Sequence, residues 1–150
     1  MDASSNVLVS GTFSGTVGFG GASLPSAGLA DIFLAKYNSS GTHQWSLRAG
    51  GTSNDYGYGV DTDASGNVYA CGIFRLSSDF GGGALVSAGI ADIYLAKYNS
   101  SGVHQWSKRF GGANFDIANS VAVDPAGTIA MTGYINGGVD LGTGPVGGGG

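Results

Sequence analysis

"ADIFLAKYNSSGTHQWSLRAGG" occupies residues 30–51, and 61 residues later "ADIYLAKYNSSGVHQWSKRFGG" occupies residues 91–112. Eighteen of the 22 positions are identical between the two stretches. Near-identity at a fixed spacing of this length indicates a repeat architecture, in which each copy is one structural unit. The repeated stretch therefore decides the fold, because it fixes the size of the unit.

Two other landmarks keep the same period. One is a turn that reads "DASSN", "DASGN" and "DPAGT", and the other is a loop that reads "GFGG", "DFGG" and "DLGT". We expect a single domain over 1–150 that contains about two and a half units. The copies span about 2–62, 63–123 and an incomplete 124–150.

The composition favours an all-β fold. Only 11% of the residues are charged, all ten acidic residues are Asp, and there are 30 glycines. Strong helix formers are therefore scarce, whereas residues typical of strands and turns are abundant. The net charge of −4 comes without a basic patch, which argues against nucleic-acid partners.

Three other features bound the class of protein. No apolar run approaches the ~18–20 residues of a membrane helix, and Met1-Asp2-Ala3 does not begin a signal peptide. Cys71 is the sole cysteine, so no disulfide can form within the chain. Its counterparts are Ser10 and Thr132, so we interpret Cys71 as a small structural side chain.

Each unit is predicted to contain four short antiparallel strands, separated by glycine and polar turns. The third strand, at 93–98, is largely apolar on both faces, which predicts sheets stacked face to face rather than one wet face. Four strands per repeat, stacked by repetition, are typical of β-propeller blades. In the second copy we expect strands near 59–63, 67–74, 92–99 and 103–110, with a long glycine-rich loop between the second and the third.

The motif "GNVYACGIF…ADIYLAKYNSSGVHQWSKRFGG…NSVAVDPAGT" resembles the bacterial β-propeller repeat known as SBBP. This resemblance implies a seven-bladed propeller fold, commonly in secreted or surface-exposed bacterial proteins, and it implies no reaction. Members of the family usually carry more repeats than this chain does.

The differences between copies point to a binding surface. Arg75 stands where the first copy has Ser14, and Tyr56 and Tyr58 correspond to Ile117 and Asn119. Variable positions on a rigid scaffold are where binding normally lies, and Tyr and Arg are enriched at interfaces. We therefore predict that Tyr56, Tyr58 and Arg75 contact a ligand.

The stretch "DTDASGN" allows a weaker metal hypothesis. Asp61, Asp63 and Ser65 resemble the start of a calcium loop, but the bidentate acid that should follow is absent. A turn between two strands explains Asp63 and Ser65 without a metal, so we expect no metal and no other cofactor.

The repeated stretch offers other candidates with simpler structural interpretations. One candidate is the repeated pair of His and Trp, at His43 and Trp45 and again at His104 and Trp106. The pair could form a ligand site in each unit, but we favour a packing role that every unit needs. Asp31 with Lys36, and Asp92 with Lys97, are expected to form ion pairs or to cap the backbone. The sequences beginning at Asn38 and Asn99 fit both a glycosylation acceptor and a hairpin turn.

The sequence thus predicts a non-enzymatic module that binds a protein or glycan through the loops that connect its blades. A structural surface or filament subunit is the alternative, and an enzyme with a site at the propeller axis is a less favoured one. The expected nine blade strands are too few for the 4–8 blades of a closed propeller. We therefore expect either a portion of a longer propeller or an oligomer in which 120–124 of one copy pairs with 7–13 of the next.

Overall fold

The computed structural model describes residues 1–141 and a short strand at 145–146. Within these residues the chain forms β-strands and no helix, which confirms the all-β prediction. The strands are β1 (Val7–Phe13), β2 (Thr16–Val17), β3 (Leu24–Pro25), β4 (Asp31–Tyr37), β5 (His43–Gly51), β6 (Tyr56–Thr62), β7 (Val68–Phe74), β8 (Ser77–Asp79), β9 (Ala84–Val86), β10 (Asp92–Tyr98), β11 (His104–Phe110), β12 (Ile117–Val123), β13 (Ile129–Tyr134), β14 (Val139–Asp140) and β15 (Pro145–Val146).

Two antiparallel sheets form the bulk of the fold. Sheet 1 has the strand order β1-β4-β5-β8-β9, and sheet 2 has the order β11-β10-β7-β6. The pair β12-β13 begins a third unit, one period after β6 and β7. In sheet 2 the first strand begins at Tyr56, three residues earlier than expected, and the other three agree with the prediction within a residue. The rest of the third copy, at 142–144 and 147–150, lies outside the described residues.

The turn before each second strand is built by an aspartate. In the second copy, Oδ1 of Asp63 accepts hydrogen bonds from the backbone N–H groups of Ser65 and Asn67, both at 3.0 Å. Gly66 has a φ of +75°, a conformation that glycine adopts without a steric cost. Asp2 and Asp124 accept the same pair of backbone bonds in the other copies.

Sheet 2 is covered on both faces. All seven residues of β7 are buried. One face of sheet 2, with Phe74, Tyr94 and Tyr98, packs against sheet 1, and the other, with Tyr69 and Leu95, packs against the third unit. Burying an apolar side chain of this size stabilises a fold by about 1.5–3 kcal/mol. This two-sided packing confirms the stacking of sheets that was predicted from the two apolar faces of the strand at 93–98.

The glycine-rich stretch between β7 and β10 is not the simple loop that the sequence predicted. It contains the hairpin β8-β9, and β8 pairs with the end of β5 in the preceding sheet, with Gly50 opposite Asp79. Phe80 at its tip is buried in the core between the two sheets, and the hydroxyl of Tyr98 donates to the carbonyl of Phe80 at 2.9 Å. The hairpin therefore joins the two sheets. Sequence reasoning missed it because its strands are only three residues long.

Trp45 lies between the stacked units, as predicted. Its indole N–H donates to the carbonyl of Ser100 at 3.1 Å, and the ammonium of Lys36 donates to the same oxygen at 3.3 Å. A Cβ added to Gly102 would come within 2.9 Å of the indole ring. The turn at 99–102 of one unit thus rests directly on the Trp of the unit before it.

The ion pairs predicted between Asp31 and Lys36, and between Asp92 and Lys97, do not form. Asp31 instead pairs with Arg48 on the neighbouring strand at 3.3 Å, while Lys36 reaches Asp2 at 2.8 Å. The alternation of side chains explains the error, because residues five apart on one strand point to opposite faces. The expected capping of the backbone does occur: Asp31 accepts from the N–H of Ala27, and Asp92 from that of Ala88. The second copy repeats the observed pairs as Arg109–Asp92 at 2.8 Å and Lys97–Asp63 at 3.7 Å.

One matched pair of glycines tests this packing. A Cβ at Gly72 would lie 2.0 Å from the carbonyl oxygen of Tyr56, because β6 runs beside it. Gly11 is its counterpart on β1, and a Cβ there would first meet the side chain of Phe33 at 2.8 Å. Overpacking against a fixed backbone costs about 1–3 kcal/mol, whereas a side chain can rotate away. We expect Gly72→Ala to lower the free energy of unfolding in urea by that amount and Gly11→Ala to lower it by less. Equal losses would contradict the observed strand order.

Candidate ligand-binding surface

The three residues predicted to contact a ligand come together. Tyr56 and Tyr58 lie on β6, and Arg75 directly follows β7. The two strands are antiparallel, with Tyr56 opposite Ile73. The start of β6 and the end of β7 therefore lie side by side, at the same end of sheet 2. With Phe115 from the next unit they form what we call the aromatic–arginine surface, which consists of Tyr56, Tyr58, Arg75 and Phe115.

The two tyrosines form a parallel pair. Their rings are inclined by only 4° and their centroids lie 6.2 Å apart, as expected for residues two apart on the same face of a strand. Tyr58 is 46% exposed. Tyr56 is partly buried. The accessible part of the pair offers a flat apolar face, and the hydroxyls can donate or accept hydrogen bonds.

Arg75 is fixed at its backbone and stacked at its tip. Its backbone N–H donates to Oδ1 of Asp55 at 3.0 Å, and its guanidinium carbon lies 5.5 Å from the centroid of the Phe115 ring. This is the range of a cation–π contact, which orients the guanidinium without neutralising it. Its buried Nε has no hydrogen-bond partner among the described residues. The cation–π contact leaves the positive charge of Arg75 available to an incoming group.

The electrostatics of the surface keep Tyr58 neutral. Burial raises the pKa of Tyr58 above its usual range, and the neighbouring Tyr56 raises it further, whereas the positive charge of Arg75 works in the opposite direction. Because the net shift is upward, the phenol stays protonated near neutral pH. At that pH the surface carries the positive charge of Arg75 beside the neutral phenol of Tyr58.

Asp55 holds this arrangement in place. The residue is fully buried, and its carboxylate accepts from the N–H of Gly51 at 2.7 Å and from that of Arg75. Burial is the main cause that raises its pKa, and the nearby Asp31 adds to the effect. Asp55 thus ties the end of β5, the start of β6 and the end of β7 to one point.

The next unit repeats this framework with different surface residues. Asp116 is buried and accepts from the N–H groups of Gly112 at 2.8 Å and Asn136 at 2.9 Å. Asn136 stands where the second copy has Arg75, and Ile117 and Asn119 replace the tyrosines. The framework is shared between the units, whereas the exposed side chains are particular to one.

Sequence reasoning missed Asp55 and Phe115. A signal for the position of Asp55 was present, since "NDY" at 54–56 and "FDI" at 115–117 place an Asp immediately before the first strand of two units. No local sequence pattern indicates the role of Phe115. It belongs to the surface only because the third unit stacks beside the second.

The residues of the calcium hypothesis do not converge in the structure. Oδ2 of Asp61 accepts from the backbone N–H of Val123 in the next unit at 2.7 Å. Both oxygens of Asp63 accept hydrogen bonds, including one from the hydroxyl of Tyr69 at 3.1 Å. Despite the cost of burial, these bonds hold the pKa of Asp63 below its usual value. Ser65 contributes its backbone to the same turn. Among the described residues, no three His, Cys or Asp side chains are grouped closely enough to hold a metal ion.

The repeated histidines pack beneath the glycine-rich loops. A Cβ at Gly82 would lie 2.2 Å from the ring of His104, and one at Gly21 would lie 2.6 Å from that of His43. Tyr98 meets His104 edge to face at 5.8 Å. Each imidazole thus lies inside its own unit, in contact with a loop that only glycine allows to approach so closely.

The chain is built from β-propeller-like repeats. Residues 44–72 match the family model described as Beta-propeller repeat, SBBP. This match supports an SBBP-type repeat protein and confirms the resemblance drawn from the sequence. The chain is also 27% identical over 133 residues to an uncharacterized WD repeat-containing protein of Acanthamoeba polyphaga mimivirus. The match covers 80% of this chain and 10% of that relative, so the chain spans about a tenth of the relative's length.

None of the elements at 1–141 or 145–146 is a helix with the length and apolar character needed to cross a bilayer.

Cys71 lies within the core between β6 and β10, and its thiol provides a test of burial. Desolvation raises the pKa of Cys71 to about 11, although a hydrogen bond from the backbone of Gly59 works in the opposite direction. A thiol whose pKa is raised in the folded state stabilises the fold fully below its unfolded value of about 9. This contribution is lost as the pH rises from about 9 towards 11.

We expect Cys71 in the folded protein to resist a thiol reagent at pH 8 and to react once urea unfolds the chain. We also expect Cys71→Ser to fold and to lose less stability than the parent between pH 9 and 11. Rapid labelling of the folded protein at pH 8 would contradict the buried placement.

Proposed function

We propose that this chain is a non-enzymatic portion of a β-propeller that binds a ligand, protein or glycan, through the aromatic–arginine surface. The single observation that carries the proposal is the convergence of Tyr56, Tyr58 and Arg75 on a framework that recurs in the next unit with other side chains. A constant framework with variable exposed residues is the usual arrangement of binding surfaces on repeat scaffolds. The SBBP repeat and the WD repeat relative support a repeat module of this kind.

The chemistry of the surface defines the ligand it fits. Stacked tyrosines favour a flat apolar face, such as a sugar ring or an aromatic or proline side chain. The free charge of Arg75 favours a carboxylate or another planar anion, which a guanidinium can bind through two hydrogen bonds. We therefore propose a ligand that combines an apolar face with an acidic group, such as an acidic peptide or a glycan that contains uronic or sialic acid.

The location of the protein is part of the proposal. We propose a secreted or cell-surface protein of bacterial type, as the resemblance to SBBP repeats implies. The low charge content and the absence of a basic patch are in keeping with a carbohydrate or protein ligand rather than nucleic acid.

A binding experiment with matched variants tests this function. The intact chain would be screened against an array of acidic glycans and a library of acidic peptides, and hits would be measured by biolayer interferometry. We expect Arg75→Ala and Tyr58→Ala each to weaken binding at least about tenfold, as for residues at the centre of an interface.

Two exposed residues outside the surface serve as controls. Lys108 lies on β11, at the opposite edge of sheet 2 from β6, and Tyr134 is exposed on β13. Lys108→Ala and Tyr134→Ala should bind as the parent does. If the four variants bind equally well, the ligand contacts another surface and the assignment is wrong.

A further inference from the structure

We propose that a groove between the first two units is a second binding site, which takes a neutral oligosaccharide. The groove lies at the end of the sheets where the turns at 63–67 and 99–102 of the second unit meet the first unit. The aromatic–arginine surface lies at the other end, beside the start of β6 and the end of β7. The groove is therefore a separate site, and it does not rest on the function proposed above.

The interunit groove, as we call it, consists of two adjoining cavities of about 320 and 210 Å³. The larger cavity is lined from the first unit by Asn6, Lys36, Gln44 and Trp45, and from the second unit by Ser100 and Ser101. The smaller cavity shares Asn6, Lys36 and Ser100 and extends to the turns at 2–4 and 64–66. Both walls are thus formed by two stacked units that the structure describes.

The floor of the groove is an ion pair without net charge. Nζ of Lys36 lies 2.8 Å from Oδ2 of Asp2, and the two side chains are only 7% and 4% exposed. Nδ2 of Asn6 donates to the same oxygen at 2.8 Å. Burial alone would raise the pKa of Asp2, but the hydrogen bonds from Lys36 and Asn6 hold it well below its usual range. The carboxylate therefore stays charged near neutral pH and neutralises the ammonium beside it.

The rim of the groove carries an amide that the fold does not use. Gln44 is exposed, and its Nε2 makes only long hydrogen bonds, at 3.3 and 3.4 Å, to the carbonyls of Thr42 and His43 beside it. The Tyr, His, Lys, Trp and Asp of the repeated stretch all contact other strands, loops or units, whereas this Gln contacts only its neighbours. An amide can donate and accept at the same time, as the hydroxyl groups of a sugar require.

Trp45 supplies the apolar part of the groove. Its indole N–H is already bonded to the carbonyl of Ser100 at 3.1 Å, and Gly102 packs against the ring. The ring is nevertheless partly exposed and borders the larger cavity. An aromatic ring whose polar group is satisfied presents apolar carbon atoms, which the C–H face of a sugar ring can cover.

These features together define the class of ligand. Hydroxyl and amide groups line the groove beside one aromatic ring, and its only charged groups neutralise each other. An anion therefore finds no unpaired cation there, and a peptide would need apolar pockets or a free strand edge. A neutral sugar chain offers many hydroxyls and apolar ring faces. The larger cavity alone reaches the range of about 300–1,000 Å³ that is usual for ligand sites.

Titration of the isotope-labelled full chain, followed by NMR, tests the site. The probes are maltohexaose, cellohexaose, xylohexaose and mannohexaose, each up to about 10 mM, a range that detects weak binding. The indole N–H signals of Trp45 and Trp106, assigned with a Trp106→Phe variant, report on the groove and on its counterpart one period later. We expect at least one sugar to shift the Trp45 signal in a saturable way and to leave the Trp106 signal unchanged. An acidic hexapeptide should shift neither signal.

Two matched pairs of variants test the walls of the groove. Gln44→Ala and Ser101→Ala should each weaken binding of that sugar about three- to tenfold, as expected for the loss of one hydrogen bond. Their counterparts 61 residues away, Gln105 and Ser40, do not line the groove. Gln105→Ala and Ser40→Ala should therefore bind as the parent does. All four side chains are exposed, so we expect the four variants to share the parent's midpoint of unfolding.

Several results would overturn the proposal. These are a Trp45 signal that no sugar shifts, a Trp45 signal that only the peptide shifts, and equal binding by the two variants of either pair. Binding at the aromatic–arginine surface is measured with acidic ligands and the Arg75 and Tyr58 variants, so either proposal can fail alone.

Discussion

The fold depends on the burial of sheet 2 between two neighbours. Every residue of β7 is buried, so sheet 2 must be covered on both of its faces. A unit of this sequence cannot bury both of its apolar faces alone, so it is stable only when stacked. The contact of the turn at 99–102 with Trp45, and the pairing of β8 with β5, are the specific interactions that set how the sheets stack.

This dependence explains why the repeated stretch varies so little. Its Tyr and His hold the glycine-rich loop, its Lys and Trp hold the turn of the next unit, and its Asp holds an Arg and the loop backbone. The contacts of the Tyr, the His and the Asp recur in both copies, so the same residue types are needed each time. The repeated stretch is therefore mainly structural. The differences between copies on which the binding proposal rests are at Arg75, Tyr56 and Tyr58.

Much of the fold could be predicted from the sequence because it is periodic. The period of 61, the turns built on Asp and Gly, and two apolar faces at 93–98 were enough to predict stacked four-stranded antiparallel sheets. The hairpin β8-β9 could not be predicted, since its stability comes from pairing with another unit rather than from its own sequence. The predicted pairing of Asp31 with Lys36 was wrong for a similar reason. The observed ion pairs join neighbouring strands, as in Asp31–Arg48, or a strand and a turn, as in Lys36–Asp2.

The candidate site was predicted in part. Tyr56, Tyr58 and Arg75 were chosen because they differ between copies, and the antiparallel pairing of β6 with β7 brings them to one edge. Phe115 and Asp55 contribute through tertiary contacts, the first across the boundary between units and the second as a buried acceptor of backbone hydrogen bonds. Neither role can be read from local sequence patterns.

Hydrogen exchange measured by mass spectrometry tests the central claim that two-sided stacking stabilises this chain. The account predicts that the amides of β7 and β10, in the middle of sheet 2, exchange more slowly than all others and at the rate of global unfolding. Among the described strands β13 pairs with β12 alone, and most of its side chains are exposed, so its amides should exchange much faster. Exchange in β7 as fast as in β13 would show that the sheets do not stack as described, and would contradict the account.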